Sequence, residues 1–330
     1  VRVGRILEIT TTIGLGTLIF EGTGALLLAI RFIPEFGLGQ GIWYSVFHSV
    51  SAFCNAGFDL MGVKAPFSSL VSYSDDALVC VTIMLLIILG GLGFLVWDDV
   101  RQKGLHWRRY DLQTKLVLVM TLALILGGAL LFFLIERNRM NADMPLGEQI
   151  LVSFFSAVTP RTAGFNSVDT AALSDASKLL TVILMFIGGS PGSTAGGIKT
   201  TSVAVVLVFL FSGIRGRRGA YVFGRRIPDD AMRRTGMIVS TNLILALCGA
   251  LVLCGTQSLP LSDVLIETFS AIGTVGMSTG ITRELTNFSA LIVALLMYCG
   301  RVGSVSFAMA LLARRSDPPV TYPTEQVTVG

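Results

Sequence analysis

Charge is scarce in this sequence of 330 residues: Asp, Glu, Lys and Arg make up 14% of it, against 52% hydrophobic residues and a mean hydropathy of +0.73. That balance excludes an ordinary soluble domain of this size and names lipid as the solvent. Histidine is nearly absent, with His48 and His106 alone. Neither stands in an acid/base pair or beside a nucleophile motif, so the chain does not read as an enzyme. The five cysteines, Cys54, Cys80, Cys248, Cys254 and Cys299, have no paired spacing and mostly sit in apolar runs, which argues against a disulfide framework or a zinc site. The net charge of +4 does not mark a nucleic-acid binder, because the basic residues fall at the ends of apolar segments, where they orient a membrane protein.

Long apolar runs are what the sequence has in abundance. Six stretches, at about 10–33, 79–97, 116–135, 179–211, 235–256 and 287–313, are long enough to span a bilayer. Between the members of each pair lies a shorter one, at about 41–53, 147–159 and 261–272. At ~1.5 Å per residue a helix over any of these reaches only partway through the ~30 Å hydrocarbon core, so each is expected to dip in and return. With the short stretches re-entrant, one side collects Arg2, Arg5, Arg101, Lys103, Arg108, Arg109, Arg215, Arg217, Arg218, Arg225, Arg226, Arg233, Arg234, Arg314 and Arg315. That side is cytoplasmic by the positive-inside rule. Anionic lipid headgroups or an acidic partner surface suit the cluster from Arg215 to Arg234, although orientation alone also explains it.

Each short stretch is closed by a variant of one phrase: Cys54-Asn55-Ala56-Gly57-Phe58, Arg161-Thr162-Ala163-Gly164-Phe165 and Gly273-Thr274-Val275-Gly276-Met277. The unit span, re-entrant helix, glycine loop, span is thus written three times in one orientation. Around a common axis, the short helices would aim their partially negative C-termini at a cation, and the loops would offer backbone carbonyls in place of its hydration shell. Gly57, Gly164 and Gly276 suit that role, since only glycine takes positive φ at little cost. Any one of them alone would read equally well as a helix C-cap.

The stretch 179–211 is interrupted by Gly188-Gly189-Ser190-Pro191-Gly192-Ser193-Thr194-Ala195-Gly196-Gly197-Ile198-Lys199, which cannot continue a regular helix. Irregular backbone at membrane depth is tolerated where it lines a wet cavity, so this segment is expected beneath the glycine loops, or else is a simple helix break. Its likeness to a phosphate-binding loop fails on glycine-to-lysine spacing and on the absence of a βαβ setting. Arg301, within the last apolar run, is expected to face the pathway, the alternative being a packing arginine with a buried carboxylate partner. Glu21 lies mid-span, Asp59 and Glu267 lie near the outer mouth, and Lys199 stands where the helix resumes.

These phrases, with Gly300-Arg301-Val302-Gly303 and the closing run from Tyr322 to Gly330, resemble the Trk/Ktr/HKT superfamily of potassium transporters, and in particular its bacterial TrkH/KtrB-like membrane subunits. The resemblance covers the whole chain and implies an all-α polytopic membrane protein with parallel repeats around a pseudo-fourfold ion pathway. It implies a selectivity filter at residues 55–58, 162–165 and 274–277, an intramembrane gating loop at 188–199 and a pathway-lining Arg301. It also implies potassium uptake, in some members with sodium, and a transported ion rather than a cofactor. The partners implied are a second copy of the chain and a cytosolic nucleotide-binding regulatory subunit of RCK type, and the location a bacterial inner membrane. The family has four repeats. This chain carries the second at 1–100, the third at 101–228 and the fourth at 229–316, followed by a tail at 317–330, and is expected to be a subunit lacking the first. Two other classes remain: an alternating-access cation transporter, whose usual inverted repeats are absent here, and an intramembrane enzyme.

Overall fold

The computed structural model describes residues 3–216 and 219–303. Arg217, Arg218, Arg314, Arg315, the end of the last apolar run and the tail 317–330 lie outside them, as do the side chains of Arg2 and Arg5. Within these limits the chain is a set of eleven α-helices, with one two-stranded hairpin of Tyr221–Val222 and Arg225–Arg226 among the described residues.

The first unit comprises α1 (Val3–Phe36), α2 (Leu38–Phe53) and α3 (Ala77–Leu92), which is followed by α4 (Phe94–Lys103). The second comprises α5 (Leu112–Glu136), α6 (Leu146–Val158), α7 (Asp175–Phe186) and α8 (Thr200–Ile214), and the third α9 (Asp229–Thr256), α10 (Leu261–Gly273) and α11 (Asn287–Val302). Local chemistry repeats with the units. The helices α3, α7 and α11, which follow the glycine phrases, start on a capping side chain: Asp76 accepts from the amides of Leu78 and Val79, Ser174 from Ser177 and Thr286 from Ser289. The short helices α6 and α10 both follow a proline, Pro145 and Pro260, at their N-caps.

The long helices α1, α5 and α9 are each apolar and long enough to cross a membrane, while α2, α6 and α10 have 16, 13 and 13 residues and, at ~1.5 Å per residue, reach about 20–24 Å. Each short helix packs against the first helix of its own unit: α1 on α2, α5 on α6, and α9 on α10. One apolar core lies among α1, α2, α3 and α6 around Phe32, Phe53, Ile83 and Phe155, and a second among α7, α9, α10 and α11 around Met185, Leu253 and Ile266. Large apolar side chains also cover the outside, among them Leu18, Leu26 and Leu251. Such a surface is stable against acyl chains and not against water. The molecule is a polytopic α-helical membrane protein with re-entrant segments.

One run expected to be a single span does not stay whole. The run 79–97 breaks at Gly93, where α3 and α4 meet at 89°. Gly93 has φ +94, the next amide, that of Phe94, donates to the carbonyl of Gly192 at 2.9 Å, and a methyl at Gly93 would come 2.6 Å from the Pro191 carbonyl. The docked loop 188–199 therefore takes over the hydrogen bonding that would have continued the helix. Arg301 stands in the last described turn of α11, before Gly303, which is also at φ +94, and the rest of that run lies outside the described residues.

Candidate functional site

The three glycine phrases meet. Each follows the end of a short helix and each has the same backbone signature: Asn55, Thr162 and Thr274 lie at φ +49, +70 and +53, and Gly57, Gly164 and Gly276 at +71, +85 and +89. Positive φ is strained for a side chain that bears a Cβ, at roughly 1–3 kcal/mol, and its recurrence at three corresponding positions marks it as built in. The loops also interlock. A methyl added at Gly57 would collide with the carbonyl oxygen of Ala163, and one at Gly164 with that of Val275. Glycine is required twice over there, for conformation and for the close approach of one loop to the next.

Hydroxyls near the helix ends fasten the loops. Ser51 Oγ donates to the Phe58 carbonyl at 2.7 Å, Thr159 Oγ1 donates to the Phe165 carbonyl at 2.5 Å, and Ser270 Oγ accepts from the amide of Gly276 at 3.1 Å. Ala163 and Phe165 are fully buried, Val275 and Met277 nearly so, while Ala56 and Phe58 are exposed. Glu267 is buried in α10 and does not stand free at the outer mouth. Its carboxylate accepts from Ser278 Oγ at 2.8 Å and Thr282 Oγ1 at 2.6 Å, holding the turn that leaves the third loop.

Loop 188–199 lies directly against these phrases. Its own ends are tied together by a parallel bridge between Ile187 and Ile198, by the Gly188 amide donating to the Ile198 carbonyl at 2.8 Å, and by Lys199 Nζ donating to the Ala195 carbonyl at 2.7 Å. Ser190 pairs with Thr200 through their hydroxyls at 3.1 Å, the Ser190 amide donates to the Gly91 carbonyl at 3.0 Å, and Ser193 Oγ donates to Ser190. Thr194 Oγ1 donates to the Phe53 carbonyl at 3.0 Å and accepts from Asn55 Nδ2 at 3.2 Å. A methyl on Gly196 would collide with the Thr274 hydroxyl, and one on Gly197 would come 3.1 Å from the Gly273 carbonyl. A methyl on Gly189 would meet Ala195, whereas Gly192 is in the left-handed region with looser surroundings. The segment therefore touches the first and the third glycine phrases at once.

The remaining candidates distribute as follows. Arg301 is exposed, makes no hydrogen bond among the described residues, and lies near enough to Lys199 for their charges to repel. The neighbouring Gly300 packs on the Ile272 carbonyl at the end of α10, as Gly90 packs on that of Phe53 at the end of α2. The Glu21 carboxylate receives, among the described residues, only a long contact from Cys54 Sγ at 3.9 Å, while its backbone carbonyl accepts from Ser49 Oγ at 2.6 Å. Asp59 accepts from the Met61 amide in a local turn. His48 is a buried core histidine with both ring nitrogens used: Nδ1 donates to the Tyr44 carbonyl and Nε2 accepts from the Leu60 amide. His106 is exposed. Arg161, which opens the second glycine phrase, is buried, with one terminal nitrogen 3.2 Å from Thr121 Oγ1 of α5 and Nε unpartnered. Nothing in its spacing signals that fold-back.

Among the described residues no cluster of His, Cys, Asp and Glu is able to hold a resident metal. What the fold assembles is backbone: three re-entrant helices ending in interlocked glycine loops, with an irregular segment pressed against them inside an apolar bundle. This is the architecture of a membrane protein that passes small ions. The chain belongs to the TrkH family, described as cation transport protein, whose pattern matches residues 1–317. It is 39% identical over 319 residues to the potassium/sodium uptake protein NtpJ of Enterococcus hirae, covering 94% of this chain and 69% of that protein. It is 34% identical over 330 residues to the Ktr system potassium uptake protein B of Bacillus subtilis, covering 99% and 73%. The crystal structure of the potassium transporter TrkH from Vibrio parahaemolyticus superposes with a TM-score of 0.74 at 17% identity, over 94% of this chain and 65% of that one, a likeness of fold.

Proposed function

We propose that the chain is the membrane subunit of a channel-like potassium uptake system, selecting the ion with the carbonyls of residues 55–58, 162–165 and 274–277 and gating it with loop 188–199. The observation that carries this reading is the shared positive–negative–positive φ pattern of the three interlocked loops. Alternating handedness turns successive carbonyls toward one side of a chain, and carbonyls so aligned replace the hydration shell of a weakly hydrated cation. Neutral oxygen ligands without a carboxylate suit a monovalent rather than a divalent ion. The relatives named for potassium and for potassium/sodium uptake support the choice of ion.

The gating role rests on where loop 188–199 sits. Its glycines suit backbone change, and its contacts to both Asn55 and Thr274 support a position in the way of an ion leaving the loops. Arg301 and Lys199 add positive charge beside it, a barrier that would limit flux. The exposed arginines Arg215, Arg225, Arg226, Arg233 and Arg234 form the cytoplasmic face in this reading, open to anionic lipid and to a regulatory subunit of RCK type, with the chain acting as a homodimer in a bacterial inner membrane.

The test is Gly164→Ser in the full-length transporter expressed in a bacterium without other potassium uptake. The substituent would meet the Val275 carbonyl, so the expected result is loss of potassium-over-sodium discrimination with membrane insertion retained. Unchanged discrimination would remove the loop from the filter.

A further inference from the structure

We propose that Arg161 sets the ion affinity of the glycine loops: its guanidinium, buried at the second loop with no carboxylate beside it, offsets the negative end of α6 and keeps a cation from being held too tightly. The proposal rests on the filter reading above and adds to it a charge that the backbone carbonyls do not supply.

The residue before the left-handed position of each phrase stands at the end of a short helix. At that register the chain has Cys54 after α2, Arg161 after α6 and Gly273 at the end of α10, so one of three corresponding positions is charged. The charge is enclosed. Arg161 is 5% exposed, and Thr162 and Ala163 beside it are fully buried. One terminal nitrogen donates to Thr121 Oγ1 at 3.2 Å, Nε has no partner, and none of the ion pairs among the described residues includes it.

A buried cation without a counter-charge is costly, and here the compensation comes from the helix. The Arg161 amide donates to the Val158 carbonyl at 3.1 Å, which ties the residue to the last turn of α6. The carbonyl end of a helix carries roughly half a negative charge, and a cation beside it is stabilised. In the filter reading α2 and α10 turn that same partial charge toward the ion. In the second unit a full positive charge stands against it.

Reach bounds the distance. An arginine side chain extends roughly 7 Å from its Cα and consecutive Cα atoms lie ~3.8 Å apart, so the guanidinium is within roughly 11 Å of the Thr162 Cα. At an effective dielectric constant of about 20, a unit charge that close changes the affinity of a cation at the loop by up to about tenfold. The contact with Thr121 holds the guanidinium against α5, so it acts on the ion through its field and not as a ligand. Conduction needs binding strong enough to admit the ion and weak enough to release it, and Arg161 moves the balance toward release.

The experiment uses three variants. Arg161→Gln removes the charge, Arg161→Lys keeps it while losing the planar fork, and Thr121→Asp leaves the arginine in place but gives it a counter-charge. Uptake of rubidium, a potassium stand-in, is measured over a range of concentrations with the full-length transporter and its partner subunits in membranes. Arg161→Gln and Thr121→Asp are expected to lower the half-saturating concentration about 3–10-fold and to lower the maximal rate, with Arg161→Lys near the parent. A purely structural arginine gives the opposite sign, a raised half-saturating concentration in Gln and Lys alike, and that result overturns the proposal. Parent-like affinity in Thr121→Asp overturns it too, and this variant decides alone if Arg161→Gln does not reach the membrane. Gly164→Ser runs in parallel. If it loses potassium-over-sodium discrimination while the neutralising variants keep the parent's affinity, only the role of Arg161 falls; if its discrimination is also unchanged, the filter reading falls with it.

Discussion

Thr194 Oγ1 lies 3.2 Å from Asn55 Nδ2 and 3.0 Å from the carbonyl oxygen of Phe53, so a loop in the middle of one unit is bonded to the glycine phrase of another, 139 residues away in sequence. Each bond is worth about 0.5–1.5 kcal/mol net. Thr194→Val preserves shape and removes both. With the docked loop as the closed state, the closed-to-open balance shifts by roughly 5–150-fold, and basal rubidium uptake is expected to rise. A parent-like basal rate would show that the latch does not hold the gate.

Gly196→Ala attacks the same docking by volume. Its methyl would collide with the Thr274 hydroxyl, and the loop cannot settle without moving one of them. The expected outcome is a raised basal flux at saturating rubidium. In Gly196→Ala/Thr274→Ala the obstructing oxygen is gone, and the basal rate should return toward the parent. Additive effects in the pair would place the two residues apart in the working protein.

Much of this arrangement is legible in the sequence, because bilayer thickness turns length into topology. The short runs at 41–53, 147–159 and 261–272 correspond to helices within a few residues, and Gly57, Gly164 and Gly276 announce positive φ by being glycine in three repeated phrases. Asn55, Thr162 and Thr274 give no such sign. Their left-handed conformation is imposed by the loops around them, against local preference. The break at Gly93 was hidden for the same reason: hydropathy runs unbroken to Trp97, and the helix ends there only because loop 188–199, a hundred residues on, supplies a carbonyl to Phe94. Periodicity carries no information about Arg161 folding back to Thr121.

Glu267 is a structural carboxylate, and its replacement should be felt as stability before selectivity. Glu267→Leu leaves Ser278 and Thr282 without their acceptor and removes two charge-assisted hydrogen bonds, a loss of roughly 2–4 kcal/mol. Glu267→Gln keeps one acceptor and should fall between. Thermal unfolding in detergent, followed at several rubidium concentrations, checks the order parent, Gln, Leu. A Leu variant as stable as the parent would mean that the turn after Met277 is held by other contacts.

Lys178 and Asp263 supply the last case, a link between the second and third units that uses charge where most of the contact is apolar. Lys178 Nζ lies 2.9 Å from Asp263 Oδ1, with the side chains only 11% and 15% exposed. The lysine belongs to α7 and the aspartate to the first turn of α10, two helices that pack along their length. A pair so shielded gains little over apolar residues of equal size but is costly to halve, because the surviving charge keeps its desolvation without its partner. Lys178→Met alone is expected to destabilise the protein by roughly 3 kcal/mol, and Asp263→Leu alone by a similar amount. The double variant should recover most of that loss. Since α10 carries the third glycine phrase at its other end, the single variants should also weaken rubidium affinity, and the double variant restore it. A thermal-stability cycle with no coupling between the two positions would mean that the ion pair does not fasten the units together, and apolar packing alone would then have to hold α10 and its loop in place.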